Sequence, residues 1–163
     1  WDLGGHTFDV AEFVGGSIQK DPETKLFTRN TGIIPMLEKL RKKLDYRYPT
    51  YDFPSSEKLR QIFETKQFSS PNGIVDVSDL VDEVGREHVW ELVQDMSLAF
   101  NPQTADENLL CGGGFVTLCP YVQEIFPRAR LIEDAQFTNV KSMYAVAANK
   151  EMYSRLMQGG IGA

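Results

Sequence analysis

Apolar positions change their period along this chain. Residues 7–14 (TFDVAEFV) are β-branched and aromatic with partial alternation, and Gly15-Gly16 then turns the chain into SIQK. A second turn at Asp21-Pro22 leads into KLFTR. Period-two runs between turn dipeptides predict a β-meander. After it the period becomes helical: Ile33, Met36, Leu37, Leu40 and Leu44 form one stripe, with Asn30 or Thr31 as cap. Arg41, Lys42 and Lys43 fall in the expected last turn, where cations suit the negative end of the helix dipole.

Residues 45–54 (DYRYPTYDFP) break that period with prolines and aromatics. Leu59, Ile62 and Phe63, at i, i+3 and i+4, predict a short helix. Ser70-Pro71-Asn72-Gly73 is a turn signal, with a short strand expected at residues 74–77. Over residues 78–100 the helical period returns, with Val81, Val84, Val89, Leu92, Val93, Met96 and Phe100 inward. Gly85 is a candidate break, and His88 falls on the charged flank, which predicts solvent exposure. Asn101-Pro102 opens a polar loop, and Leu109-Leu110-Cys111 reads as an apolar strand running into Gly112-Gly113-Gly114. A helix follows at once or is delayed to Pro120; then come a strand at 130–132, one or two helices over 139–156 and a frayed glycine tail. A meander followed by alternating helices and strands predicts an α/β sheet with helices packed on it, plus a smaller irregular lobe.

Composition narrows the class. With 163 residues, 42% hydrophobic and 25% charged, the chain has enough apolar surface for one core or two small lobes. Its net charge of −6 disfavours direct nucleic-acid binding, which needs clustered Lys and Arg. No apolar run approaches ~18 residues, so no membrane span is expected, and no charged-then-apolar leader opens the chain. Cys111 and Cys119, spaced C-x7-C beside only two histidines, make no zinc framework. Buried reduced thiols are expected over a disulfide, which suits a cytoplasmic protein. Trp1 stands where Met would, and only three residues precede the Gly4-Gly5 turn, so a fragment lacking its N-terminal part is expected.

Two stretches carry candidate chemistry. In Asp2-Leu3-Gly4-Gly5-His6-Thr7-Phe8-Asp9, two hairpin glycines let backbone approach a ligand, and successive N–H groups can form an anion nest. Thr7 offers a hydroxyl to a phosphate, and Asp2 can hold waters of a hydrated Mg²⁺. A plain hairpin turn explains the same residues. Leu110-Cys111-Gly112-Gly113-Gly114-Phe115 places bare backbone at the carboxyl edge of a sheet, where ligands commonly bind, or is simply a tight strand–helix turn. The spacing is not G-x-G-x-x-G, which argues against a dinucleotide site. Asp9 and Glu12 face opposite sides of a strand and make no carboxylate pair, so no catalytic base is assigned. Tyr46, Tyr48, Tyr51 and Phe53 are expected to pack within the small lobe, a filament contact being the alternative. Lys39, Arg41, Lys42 and Lys43 read as a solvated face.

Taken together, DLGGxTxD near the start and an apolar strand into GGG further on resemble the actin/heat-shock-chaperone/sugar-kinase ATPase superfamily. Residues 2–9 resemble its second phosphate loop, residues 109–115 its adenosine motif, and Gly32-Ile33-Ile34 the start of its inserted subdomain. Residues 137–144 (FTNVKSMY) resemble the F-x-N-x-x-G segment of ParM-like bacterial actins, with Ser142 in place of Gly and Lys141 in place of Arg. The resemblance implies an α/β fold with a mixed, ribonuclease H-like sheet, equivalent to the second half of an actin-like ATPase. It implies a core subdomain at 1–31 and 86–163 and an inserted small subdomain at 32–85. Gly4, Gly5, His6 and Thr7 would face phosphates, Asp2 the Mg²⁺, Gly32 the ribose, and Gly112, Gly113, Gly114 and Phe115 the adenosine of ATP or ADP. His6 departs from the small residue usual there. The intact protein would be an ATPase assembling into filaments, with a DNA-bound adaptor in plasmid segregation; the fragment alone would be inactive. A fragment of a sugar or acyl-phosphate kinase, or a degenerate actin-like binding module, are the alternatives.

Overall fold

A computed structural model of the chain describes residues 1–14, 17–18, 26–53 and 55–148. The expected turns at Gly15-Gly16 and Asp21-Pro22, and the glycine tail, lie outside these residues. Five strands form the central sheet: β1 (Asp2–Leu3), β2 (Phe8–Ala11), β5 (Leu26–Arg29), β8 (Leu109–Leu110) and β9 (Arg130–Leu131). β1 pairs antiparallel with β2 (Leu3 opposite Phe8), and β2 antiparallel with β5 (Phe8 opposite Arg29). β8 and β9 are parallel, with Leu109 opposite Arg130. A parallel bridge between Asp2 and Cys111 joins the two groups: Leu3 N–H donates to Cys111 O at 3.0 Å, and Cys111 N–H to Trp1 O at 2.8 Å. The strand order is therefore β5-β2-β1-β8-β9, mixed as expected. β3 (Phe13–Val14) and β4 (Ser17–Ile18) pair antiparallel with each other, apart from these five strands.

Helix α1 (Ile33–Arg47) buries all five residues of the expected stripe. It outlasts the expected last turn, so Lys39, Lys43 and Arg47 project along its flank and pair with α3 (Ser78–Ser97) instead of forming a free solvated face. Lys39 pairs with Glu91, Lys43 with Glu83 and Glu87 at 2.9 and 3.2 Å, and Arg47 with Asp79 at 2.6 Å. Exposed pairs add little stability each, but this ladder fixes the antiparallel register of the two helices. Helix α2 (Ser56–Thr65) is capped by Ser55, whose hydroxyl accepts from Lys58 N–H at 3.2 Å. It ends at Lys66 in the left-handed region and runs into the hairpin β6 (Gln67–Ser70) and β7 (Gly73–Asp76). Tyr48, Tyr51 and Phe53 pack edge-on around Phe68, with centroids 5.2, 5.3 and 5.2 Å from it, so this aromatic group is lobe packing; Tyr46 alone stays exposed.

Two expectations about α3 fail. Gly85 does not break the helix: it sits where a Cβ would lie 2.7 Å from the Tyr121 ring, so the missing side chain lets α4 (Gly113–Ile125) approach. His88 is not exposed. It lies one turn from Val84 and from Leu92, on the buried face, and is 1% accessible. Nor is α4 delayed to Pro120: it starts at Gly113 and carries the proline inside. Val116 and Pro120 share its solvent side, where water can serve the carbonyl that the proline leaves free. A 3-10 turn (Ala135–Phe137) and α5 (Thr138–Ala148) follow β9. One apolar cluster runs from Leu3 and Phe8 through α1 and α3 to Phe115 and Val122.

Candidate functional site

Because β1 and β8 are adjacent and parallel, both glycine turns emerge at the same sheet edge. The turn Gly4-Gly5-His6-Thr7 closes with Gly4 N–H donating to Thr7 O at 2.9 Å. The start of α1 docks directly on it: the N–H groups of Gly32, Ile33 and Ile34 donate to the carbonyls of His6, Gly4 and Gly5 at 3.0, 3.1 and 2.9 Å. These bonds satisfy donors that a helix start usually leaves open, so α1 needs no side-chain cap, and the Thr31 hydroxyl expected in that role is buried without a partner. A Cβ on Gly32 would lie 2.5 Å from Gly5 O, so contact with the turn is what demands glycine there.

Around the second turn the three glycines differ. Gly112 has φ +85°, and its Cβ would fall 2.3 Å from Asp2 Oδ1 and 2.4 Å from Leu3 O. A Cβ on Gly114 would strike the Leu3 side chain at 2.7 Å. At Gly113 the nearest atom is Gln136 Cγ at 3.6 Å, an ordinary contact. Gly4 and Gly5 are equally open, with nothing nearer than 3.6 Å. Packing within the chain thus demands glycine at Gly32, Gly112 and Gly114, whereas a Cβ at Gly4, Gly5 or Gly113 would meet only ordinary contacts at 3.6 Å. His6 is exposed beside them. The Phe115 ring, expected near the edge, is fully buried against Trp1 and Phe8, so its side chain belongs to the core.

Asp2 lies between the two turns. Asn139, in the first turn of α5, donates to Asp2 Oδ2 at 2.6 Å, while Oδ1 lies over Gly112. Gly112 N–H donates to Ala135 O at 2.9 Å, which pins the 3-10 turn above the glycines and brings Gln136 and Asn139 to the edge. Sequence reasoning picked no site residue from this segment, although the F-x-N-x-x-G likeness pointed at Asn139. Thr7 Oγ1 donates to Asp9 Oδ2 at 3.0 Å and Thr28 Oγ1 to Asp9 Oδ1 at 2.6 Å, so the Asp9 carboxylate serves the meander. Both cysteines are free and half-buried. Burial raises both thiols, and the Asp2 carboxylate raises Cys111 further, so neither is a thiolate nucleophile near neutral pH. Among the described residues no group of three His, Cys, Asp or Glu side chains is placed to hold a metal, and no helix is long and apolar enough to cross a membrane.

No protein-family model matches the sequence, and no curated protein matches it significantly. Solved structures do. Actin-like protein Alp7A superimposes with a TM-score of 0.71 at 18% identity, over 99% of this chain and 47% of its own. A 15-stranded ParM filament from Clostridium botulinum gives 0.70 at 16% identity, over 83% of this chain and 41% of its own. A Bacillus thuringiensis ParM solved with ATP gives 0.61 at 18% identity, over 84% and 41%. The chain therefore has the fold of a ParM-like bacterial actin, and it spans under half the length of the structures it matches.

Proposed function

We propose that this chain is the second, nucleotide-binding half of an actin-like ATPase that assembles into filaments when intact, with plasmid segregation through a DNA-bound adaptor as its task. One observation carries the reading: two glycine turns bring Gly4, Gly5 and Gly113, where packing within the chain does not itself demand glycine, to one sheet edge around the Asp2 carboxylate. The fold supports it, since structural neighbours include a ParM filament and a ParM solved with ATP.

In this reading the Gly5 and His6 amides, which make no backbone hydrogen bond among the described residues, donate to phosphate oxygens. The Thr7 hydroxyl sends its proton to Asp9, so backbone rather than this side chain supplies the donors. Gly113 gives the adenosine a surface without a side chain. The residues fit a hydrated Mg²⁺ held by one carboxylate, Asp2, together with water and phosphate, for no fuller ligand set surrounds it among the described residues. When bound, Mg²⁺ would neutralise phosphate charge. We assign 1–31 and 86–163 to the core and 32–85 to the inserted lobe, with α3, continuous through Gly85, shared by both. No general base is assigned, so this segment alone is expected not to turn over ATP.

Calorimetric titration with ATP tests the reading. Half a phosphate cradle should bind with Kd of about 1 mM, which corresponds to about −4 kcal/mol. Gly113→Val should abolish binding while circular dichroism stays unchanged, because a Cβ at Gly113 meets nothing closer than the flexible Gln136 side chain at 3.6 Å. Full ATP affinity in a folded Gly113→Val protein, or no ATP binding by the unmodified chain, would refute it.

A further inference from the structure

We infer that Asn139 is a positioning residue: it fixes the Asp2 carboxylate so that its charge is available to a hydrated divalent cation at the sheet edge. This rests on the nucleotide-binding reading above. Both carboxylate oxygens are located by neighbours. Oδ2 accepts the Asn139 amide at 2.6 Å, and Oδ1 sits over Gly112, where a Cβ would come within 2.3 Å of it. The positive φ of Gly112 lets backbone pass under the carboxylate, and its N–H bond to Ala135 O holds the start of α5 at the distance Asn139 needs.

The donor type is the telling part. A cation stands two residues further along α5, at Lys141, and could have neutralised Asp2. That ammonium instead pairs with Asp134, which holds the left-handed conformation (φ 53°) that starts the 3-10 turn. Among the described residues Asp2 has no cationic side-chain partner; it has a neutral amide that orients it and leaves its charge intact. Groups that orient a ligand in this way typically set metal affinity by about ten-fold or more.

The test is an NMR titration of the 163-residue chain with ATP, in excess Mg²⁺ and in EDTA, for the unmodified chain, Asn139→Ala and Asn139→Leu. Asn139 is exposed, so both variants should fold, and their amide dispersion checks this. Mg²⁺ should strengthen ATP binding by the unmodified chain. Both variants should lose about ten-fold of that enhancement while their EDTA affinity stays the same. A purely structural role would lower both affinities together. That result, or an undiminished Mg²⁺ enhancement in both variants, would overturn the inference and leave the nucleotide reading standing. An unmodified chain that binds no ATP under either condition would instead remove the nucleotide reading on which the inference rests.

Discussion

Lowering the pH should destabilise this protein through one residue, His88. Its ring is buried in the interface of α1 and α3, and neither nitrogen makes a hydrogen bond of normal geometry. Burial is the main cause that lowers its pKa from 6.5 to about 4; the Lys39 ammonium adds to this, while Glu91 and the Thr31 backbone oppose it. Between those two values the unfolded chain takes up a proton on this ring and the folded chain does not. Folding stability must therefore fall as pH drops through this window. A shift of this size is worth about 3 kcal/mol once both states are protonated, with about 2 kcal/mol lost between pH 7 and pH 5. For a domain with ~5–15 kcal/mol in total that is a large share. Carboxylates titrate in the same range, so the contribution is isolated by comparison with His88→Leu, which keeps an apolar side chain of similar size there. Urea unfolding at pH 7, 6 and 5 should show the gap between variant and unmodified chain widening by about 2 kcal/mol in favour of the variant. Because it also removes two unsatisfied polar atoms from the core, His88→Leu should already be the more stable at pH 7. A gap that does not change with pH would refute the buried, neutral state of this ring.

Other consequences follow from packing and hydrogen bonding. Gly112→Ala should lower stability by about 2–3 kcal/mol or more, because a Cβ at φ +85° meets Asp2 and Leu3 at 2.3 and 2.4 Å, whereas Gly113→Ala should stay within about 1 kcal/mol; thermal melts compare the two. Asp82 Oδ1 accepts from Tyr121 Oη at 2.7 Å and from Lys66 Nζ at 2.6 Å, tying the end of α2 to α3 and α4. Tyr121→Phe should therefore cost about 1–2 kcal/mol in urea unfolding, and should cost little once Asp82→Asn has weakened the same bond in a double-mutant cycle.

Local pattern and tertiary contact divided the work along recognisable lines. The stripe from Ile33 to Leu44, the short helix around Leu59, Ile62 and Phe63, and the strand before Gly112 were legible in the sequence because periodicity reports which face is buried, whatever it is buried against. The fold was legible only through resemblance, because the two glycine turns together match motifs of the actin-like ATPase superfamily, whereas each alone reads as an ordinary turn. What periodicity cannot carry is the identity of the partner surface. Gly85 reads as a helix break until Tyr121 is seen to fill the space beside it, and His88 reads as solvated until α1 covers it. Among the candidate glycines, only three-dimensional neighbours separate Gly32, Gly112 and Gly114, closed by the chain's own atoms, from Gly4, Gly5 and Gly113, where a Cβ would make only ordinary contacts. The pairing of Asp2 with Asn139 spans 137 residues of sequence, and no local signal fixes a distance between groups so far apart. Propensity acts over a few residues, whereas a site at a sheet edge is assembled by strand order, and that order is decided by tertiary contact.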